Sequence, residues 1–142
     1  MVVLIDTNIL LDFLNKRTPH DVFANKIIEL CSDGIIKGCI ASISIPNIFY
    51  IMRKDLSVKE LRDLLLDLCG IVDIIGIGKQ KIIASLLKED FSDFEDCLQM
   101  ECAKQANADY IVTRNLADFS SSSVPAILPN DFLKIQAKSK NI

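Results

Sequence analysis

Short apolar runs alternate along this chain with longer stretches in which hydrophobic residues recur at helical spacing. The apolar runs have the length of buried strands and lie at residues 2–5, 37–41, 72–77, 110–113 and 126–128. Helical spacing occurs at residues 18–32, 47–54, 57–69, 79–88, 93–106 and from Pro129 onwards, with residues 138–142 expected to fray. This alternation predicts a three-layer α/β/α fold with a central parallel sheet of four or five strands.

Local residue chemistry suggests where several of these helices begin and end. Thr18 before Pro19 is typical of a helix start. The segments Ser57–Glu60 and Ser92–Glu95 each match a capping box, in which a hydroxyl and an acid satisfy the first free amides of a helix. Gly34 and Asn107 are suited to the left-handed conformation that stops a helix.

Length and composition favour one globular domain spanning residues 1–142. Half of the residues are hydrophobic and a quarter are charged. The apolar runs are too short for a membrane helix, and no basic segment precedes the first run, so we expect a cytoplasmic protein without a signal peptide. Five cysteines without a CxxC motif, and one histidine, argue against zinc and for small buried side chains.

A net charge of −3 is not typical of a protein that coats nucleic acid. It remains compatible with an enzyme that binds phosphates through metal ions, because the ions bring positive charge.

Polar side chains stand where the first and fourth predicted strands end. Asp6 directly follows the first strand, while Thr113, Asn115 and Asp118 follow the fourth. Ligands of open α/β sheets bind beyond the carboxyl ends of strands, so these residues are candidates for one site. The alternative is structural: Asp6 would then form an Asx turn or cap the next helix, and Asp118 would cap a loop.

Asp96 is a further candidate, because it continues an apolar helix face. One and two turns later this face carries Met100 and Ala103, which we expect to be buried. A carboxylate in such a stripe is costly unless it is paired, protonated or bound to a metal. The preference of acids for helix N-termini explains Asp93 and Glu95 better than it explains Asp96. We expect Glu95 to point away from the face that carries Asp96.

Three carboxylates near the strand ends of one sheet would suit a hard cation such as Mg²⁺ or Mn²⁺. Such a cation lowers the pKa of bound water and can orient a phosphodiester for in-line attack. The spacing alone is a weak indication of this chemistry.

Three segments, at residues 4–12, 93–99 and 113–119, resemble the signature stretches of PIN domains in order and spacing. Residues 128–133 resemble the C-terminal segment of that family, so the resemblance covers essentially the whole chain. It implies a metal-dependent nuclease, most often an endoribonuclease, and in many prokaryotes a VapC-type toxin paired with an antitoxin.

The resemblance also assigns roles to residues. Asp6, Asp96 and Asp118 would bind Mg²⁺ or Mn²⁺ and serve catalysis, with Thr113 and Asn115 supporting the site and its substrate. One position departs from the pattern: where most such toxins carry a glutamate, this chain has Asn47, as in one branch of the family. Asn47 can orient water or substrate but supplies no charge.

Further expectations concern RNA contacts and assembly. Arg53, Lys54 and Arg114 are candidate phosphate contacts, although each could be a solvated surface cation, which is the preferred interpretation of Lys54. Phe49 and Tyr50 could stack on bases, but packing in the core or in a dimer is the favoured role of both. The apolar helices around residues 49–52 and 61–68 predict a homodimer, as in many PIN domains.

Other functions fit the sequence less well. In haloacid dehalogenase-like phosphatases an acid stands where this chain has Asn8, and a P-loop would need a glycine at Asp73 and a hydroxyl at Gln80. A response-regulator receiver would need an acid pair after the first strand. A catalytically weak or inactive PIN-fold binding module remains open because of Asn47.

Overall fold

The computed structural model describes residues 1–139, and a five-stranded sheet forms its centre. The strands are β1 (Val2–Ile5), β2 (Lys37–Ala41), β3 (Asp73–Ile75), β4 (Tyr110–Val112) and β5 (Ala126–Ile127). All neighbouring strands are parallel, in the order β3-β2-β1-β4-β5. The predicted parallel sheet is therefore confirmed, with five strands.

Helices connect these strands and cover both faces of the sheet. Within residues 1–139 they are α1 (Thr7–Leu14), α2 (Asp21–Ser32), α3 (Ser44–Met52), α4 (Val58–Cys69), α5 (Lys79–Leu87), α6 (Phe94–Gln105) and α7 (Pro129–Ser139). A short 3₁₀ turn at Leu116–Phe119 follows β4.

Successive side chains of a strand point to opposite faces, so the central strand β1 contributes to two hydrophobic layers. Val3 and Ile5 are buried with α1, α2, α3, α4 and α7. Leu4, between them, is buried with residues of α6 such as Cys97 and Met100. Strands β1, β2 and β4 are buried on both sides, which explains why they lack polar alternation, whereas Asp73 and Ile74 of the edge strand β3 are exposed.

Several predicted boundaries are confirmed. Ser57 accepts a hydrogen bond from the backbone amide of Glu60 at 3.2 Å, as a capping box requires. Gly34 and Asn107 both adopt the left-handed conformation, with φ of +72° and +53°. These interactions involve residues close in sequence, which is why sequence patterns reveal them.

Other boundaries differ. Helix α2 begins at Asp21 rather than at Thr18, and α3 begins at Ser44 rather than at Asn47. Strand β3 ends at Ile75 instead of residue 77, because its partner β2 ends at Ala41, the residue opposite Ile75.

A helix directly after Asp6 was expected only in the structural alternative, in which Asp6 caps it, yet α1 follows β1 directly. Helix α7 continues to Ser139. The expected fraying concerns residues 138–142, and residues 140–142 lie outside the described part of the chain.

The strand order places a switch point beside β1. The chain runs from β1 outward to β2 and β3, and then crosses to β4 and β5 on the other side. At such a reversal the two connections leave the sheet in opposite directions and open a crevice at the carboxyl ends. The residues after β1 and after β4 border this crevice.

The cysteines form no disulfide. Cys31, Cys39, Cys97 and Cys102 are buried, as expected, but Cys69 at the end of α4 is exposed, so the prediction was wrong for that residue. None of the helices in residues 1–139 combines the length and hydrophobicity that a membrane span requires.

Gly38 in β2 offers a test of this packing. A Cβ atom added at Gly38 would lie 2.6 Å from Sγ of Cys31 and 3.3 Å from Cδ1 of Ile5. Gly38→Ala should therefore lower the free energy of unfolding by about 1–3 kcal/mol, measured by urea denaturation.

Gly76→Ala is the matched control, because a Cβ there meets nothing within 4 Å and should change stability little. Adding Cys31→Ala to Gly38→Ala should recover part of the loss. Equal stability of Gly38→Ala and Gly76→Ala would contradict this description of the core.

Candidate active site

The carboxylate of Asp6 is buried at the carboxyl end of β1, with 4% of the residue exposed. Nε2 of Gln99 donates to Oδ1 at 3.0 Å, and Oγ1 of Thr113 donates to Oδ2 at 2.8 Å. The backbone carbonyl of Asp6 accepts the first hydrogen bonds of α1, but its side chain does not cap that helix. Asp6 therefore occupies the N-cap position of α1 through its backbone only, while its side chain accepts from Gln99 on α6 and Thr113 just after β4.

A cavity of about 430 Å³ opens beside this carboxylate. It lies at the switch point between β1 and β4, where α1, α3 and α6 begin or end. Five acidic residues line it together with amide side chains: Asp6, Asp93, Glu95, Asp96, Asp118, Asn8, Asn47, Gln99 and Asn115. The cavity thus brings together the three acids that the sequence suggested, along with Asn47 and Asn115.

The negative charges in this cavity perturb one another. Burial raises the pKa of Asp96 to about 7, and the charges of Asp93, Asp6, Asp118 and Glu95 add to the effect. The pKa of Glu95 is also raised, first by burial and then by Asp93, against a lowering by the hydrogen bond from Asn47. No lysine, arginine or histidine of residues 1–139 lines the cavity, so these carboxylates lack a protein cation.

The polar atoms of the cavity fit a hydrated hard cation. Among residues 1–139, no three acidic, histidine or cysteine side chains form a ready-made ligand group for a metal. Mg²⁺ does not need one, because it usually keeps several waters and binds through one or two carboxylates. The buried Oε1 of Gln99 finds no hydrogen-bond donor among the described residues, and a coordinated water would supply one.

Glu95 lies in the cavity, and the prediction that it points elsewhere was wrong. Its Oε1 accepts a hydrogen bond of 2.5 Å from Nδ2 of Asn47. Side chains of an α-helix lean toward its N-terminus. Glu95 and Asp96 are both in the first turn of α6, so both extend past the helix end although they start about 100° apart around the axis.

The start of α6 is set by Asp93. Its Oδ1 accepts a hydrogen bond of 3.0 Å from the backbone amide of Asp96, so Asp93 is the capping residue. The cap lies one residue later than the predicted box, which began at Ser92.

Gln99 and Asp12 are two further residues that the sequence reading missed. Gln99 is buried one turn after Asp96, between Leu98 and Met100, which are also buried. A single amide in an otherwise apolar run was the available signal, since a buried amide needs partners.

Arg114 occupies a structural position. Its Nε donates to Oδ2 of Asp12 at 2.8 Å, and its Nη2 donates to Oδ1 at 3.1 Å. Asp12 is fully buried, so this bidentate pair links the segment after β4 to α1. Contact of Arg114 with a phosphate remains a prediction. Its Nε and Nη2 atoms already donate to Asp12.

Arg53 also lies outside the cavity lining. Its guanidinium stacks 3.8 Å above the ring centre of Tyr50, and Tyr50 itself borders the cavity. Tyr50 is 62% exposed, whereas Phe49 packs partly against the core. Phe49 therefore packs against the core, as expected, whereas packing of Tyr50 in a dimer stays a prediction.

Comparison with known proteins gives the class of this chain. The family model described as "PIN domain" matches residues 2–117, and the chain belongs to that family. A search of curated proteins finds no significant match.

Solved structures share the fold at low sequence identity. VapBC2 from Rickettsia felis, bound to a DNA fragment of its promoter, aligns with a TM-score of 0.66 and 20% identity, covering 90% of this chain and 98% of that one. A toxin–antitoxin complex from Klebsiella pneumoniae aligns with a TM-score of 0.67 and 22% identity, covering 89% of this chain and 97% of that one. FitAB bound to the IR36 DNA fragment aligns with a TM-score of 0.63 and 15% identity, covering 89% of this chain and 94% of that one.

The raised pKa of Asp96 predicts how stability depends on pH. Because the folded-state pKa of about 7 exceeds the ordinary 3.8, the folded metal-free protein holds this proton more tightly than the unfolded chain. The contribution of Asp96 to stability is complete below pH 4 and is lost as the pH rises through 7. Asp96→Asn should therefore be more stable than the wild type at pH 8, and the difference should shrink toward pH 5.

Urea denaturation of both proteins in EDTA at several pH values measures this difference. Glu29→Gln, on the exposed surface of α2, should follow the wild type at every pH. An Asp96→Asn protein that is less stable than the wild type at pH 8 would refute the argument.

Proposed function

We propose that this PIN domain is a metal-dependent endoribonuclease that hydrolyses RNA phosphodiester bonds, and that it is the toxin of a toxin–antitoxin pair. The observation that carries the proposal is the acidic cavity beside Asp6. A fixed buried carboxylate, four further acids and no protein cation within the described lining form a site with an unmet need for positive charge. A divalent cation would supply that charge and could bind the anionic phosphodiester at the same time.

Asp6 and Asp96 would be the direct ligands of Mg²⁺ or Mn²⁺, and Asp118 would act through water. When bound, such a cation neutralises phosphate charge and lowers the pKa of water. Asp6 is suited to this role because Gln99 and Thr113 fix both of its oxygens. The oxygen of Thr113 is itself fixed, since it accepts a hydrogen bond of 3.0 Å from the backbone amide of Asn115.

Other residues would hold the substrate. Asn47 and the side chain of Asn115 face the cavity and can orient water or a phosphate oxygen. Arg53, whose guanidinium stacks on Tyr50 near the cavity edge, would contact a backbone phosphate. Arg114 would act mainly by holding the segment that carries Asn115 and Asp118.

RNA cleavage tests the chemistry. Asp6→Asn and Asp96→Asn each remove a charge at nearly constant shape, and each should lower the rate about 10²–10³-fold. EDTA should abolish cleavage, and Mg²⁺ or Mn²⁺ should restore it. The measurement is the cleavage rate of a mixed single-stranded RNA pool at fixed metal concentration.

Asp33→Asn is the control, because Asp33 is exposed at the end of α2 and should not affect the rate. Cleavage that survives both EDTA and Asp6→Asn would show that this metal mechanism is wrong. A protein that neither cleaves RNA nor binds Mn²⁺ would instead be a PIN-fold binding module.

An antitoxin is the proposed protein partner, and the cytoplasm is the proposed compartment. One structural neighbour is described as a toxin–antitoxin complex, from Klebsiella pneumoniae, and another is VapBC2 bound to promoter DNA. A small DNA-binding protein encoded next to this chain would be the first candidate for the partner.

We also propose a homodimer that covers exposed apolar side chains of α3 and α4. Tyr50, Ile51, Val58 and Leu66 are between 41% and 69% exposed. Burying such side chains is the usual driving force of association. Light scattering at micromolar concentration should give twice the chain mass of 15.8 kDa.

Leu66→Glu should shift the mass toward the monomer, because it places a charge in the apolar surface. Lys59→Glu, an exposed change on the same helix, is the control. A monomeric wild-type protein would rule out the dimer.

A further inference from the structure

The pair formed by Asn47 and Glu95 joins two elements across the cavity. Asn47 lies on α3 and Glu95 on α6, 48 positions apart in the chain, and the hydrogen bond between them is 2.5 Å long. Both residues line the cavity. Their identities are complementary, because the amide of Asn47 donates and the carboxylate of Glu95 accepts.

We propose that Glu95 supplies, from α6, the negative charge that Asn47 does not supply from α3, and that Asn47 acts as its positioning residue. This inference rests on the proposed function, since the charge would act on a divalent cation in the cavity. Most such toxins carry a glutamate where this chain has Asn47, and the inference explains this difference. The pair of Asn47 and Glu95 still carries one negative charge, but that charge lies on α6 instead of α3.

The contacts of this pair support the inference. Glu95 lines the same cavity as Asp6 and Asp96, so its carboxylate belongs to the same acidic cluster as the proposed ligands. An acid at position 47 would face Glu95 with two acceptors and no donor between them. Asn47 has nearly the shape of an aspartate but can donate a hydrogen bond, so it allows Glu95 to remain in the cavity.

A purely structural role for the pair is the competing explanation. In that case Glu95 would only hold α6 against α3 through the hydrogen bond. Glu95→Gln separates the two explanations, because a glutamine oxygen can still accept from Asn47 while the charge is lost. Glu95→Ala removes both the charge and the acceptor.

The affinity for Mn²⁺, measured by calorimetry on the intact chain at pH 8, is the first readout. If Glu95 supplies charge to the site, Glu95→Gln should bind Mn²⁺ about 10–100-fold more weakly. Its metal-free form should melt at the same or a higher temperature than the wild type, because repulsion in the cavity is reduced. Wild-type affinity in Glu95→Gln would overturn the inference.

The second experiment exchanges the amide and the carboxylate between positions 47 and 95. Asn47→Asp alone should lower the melting temperature of the metal-free protein, because two carboxylates then meet without a donor. The double variant Asn47→Asp with Glu95→Gln keeps one charge and one hydrogen bond, and should recover Mn²⁺ affinity to within about threefold of the wild type. A double variant as weak as Glu95→Gln would overturn the shared-charge explanation.

Glu29→Gln is the matched control, since Glu29 is exposed on α2 and far from the cavity lining. The controls also separate this inference from the proposed function. If the wild type binds no Mn²⁺, the proposed function fails and the inference fails with it. If the wild type and Glu29→Gln bind Mn²⁺ and Glu95→Gln binds it equally well, only the inference fails.

Discussion

The buried carboxylate of Asp6 is the constraint on which the arrangement of the site depends. An ionised carboxylate loses its hydration when it is buried, and donors fixed by the fold must replace that hydration. Gln99 on α6 and Thr113 after β4 provide those donors. The central strand, the long helix on one face and the neighbouring strand are therefore linked through one side chain, and any change in their packing moves the carboxylate.

The surrounding charges work against folding but suit a site that receives a cation. Burial raises the pKa of Asp96, the charges of Asp93, Asp6, Asp118 and Glu95 raise it further, and no protein cation of residues 1–139 offsets them. Perturbed carboxylates in a cavity are typical of functional sites. By contrast, the other buried carboxylate, Asp12, has its own bidentate partner in Arg114, so its charge is satisfied by the fold itself.

Features that depend on residues close in sequence could be predicted. The strands were visible as apolar runs, the helix stops at Gly34 and Asn107 follow from the left-handed backbone, and the placement of Asp6 and Asp118 after parallel strands predicted a shared edge. The predictions were wrong where a residue distant in sequence determines the local structure. Strand β3 ends where its partner β2 ends, and Glu95 points into the cavity, where it accepts a hydrogen bond from Asn47. Periodicity around a helix does not describe its first turn, because side chains there extend beyond the helix end.

The sequence by itself determined the class of fold, the family resemblance and three of the five acids that line the cavity, Asp6, Asp96 and Asp118, because each follows from local pattern or from order along the chain. Only the tertiary structure decided which polar groups meet: Gln99 with Asp6, Asn47 with Glu95, and Arg114 with Asp12. These pairs join residues 48 to 102 positions apart, and hydrogen bonds form only within about 3 Å. Such distances result from the crossing of the chain between β3 and β4, which no local pattern specifies.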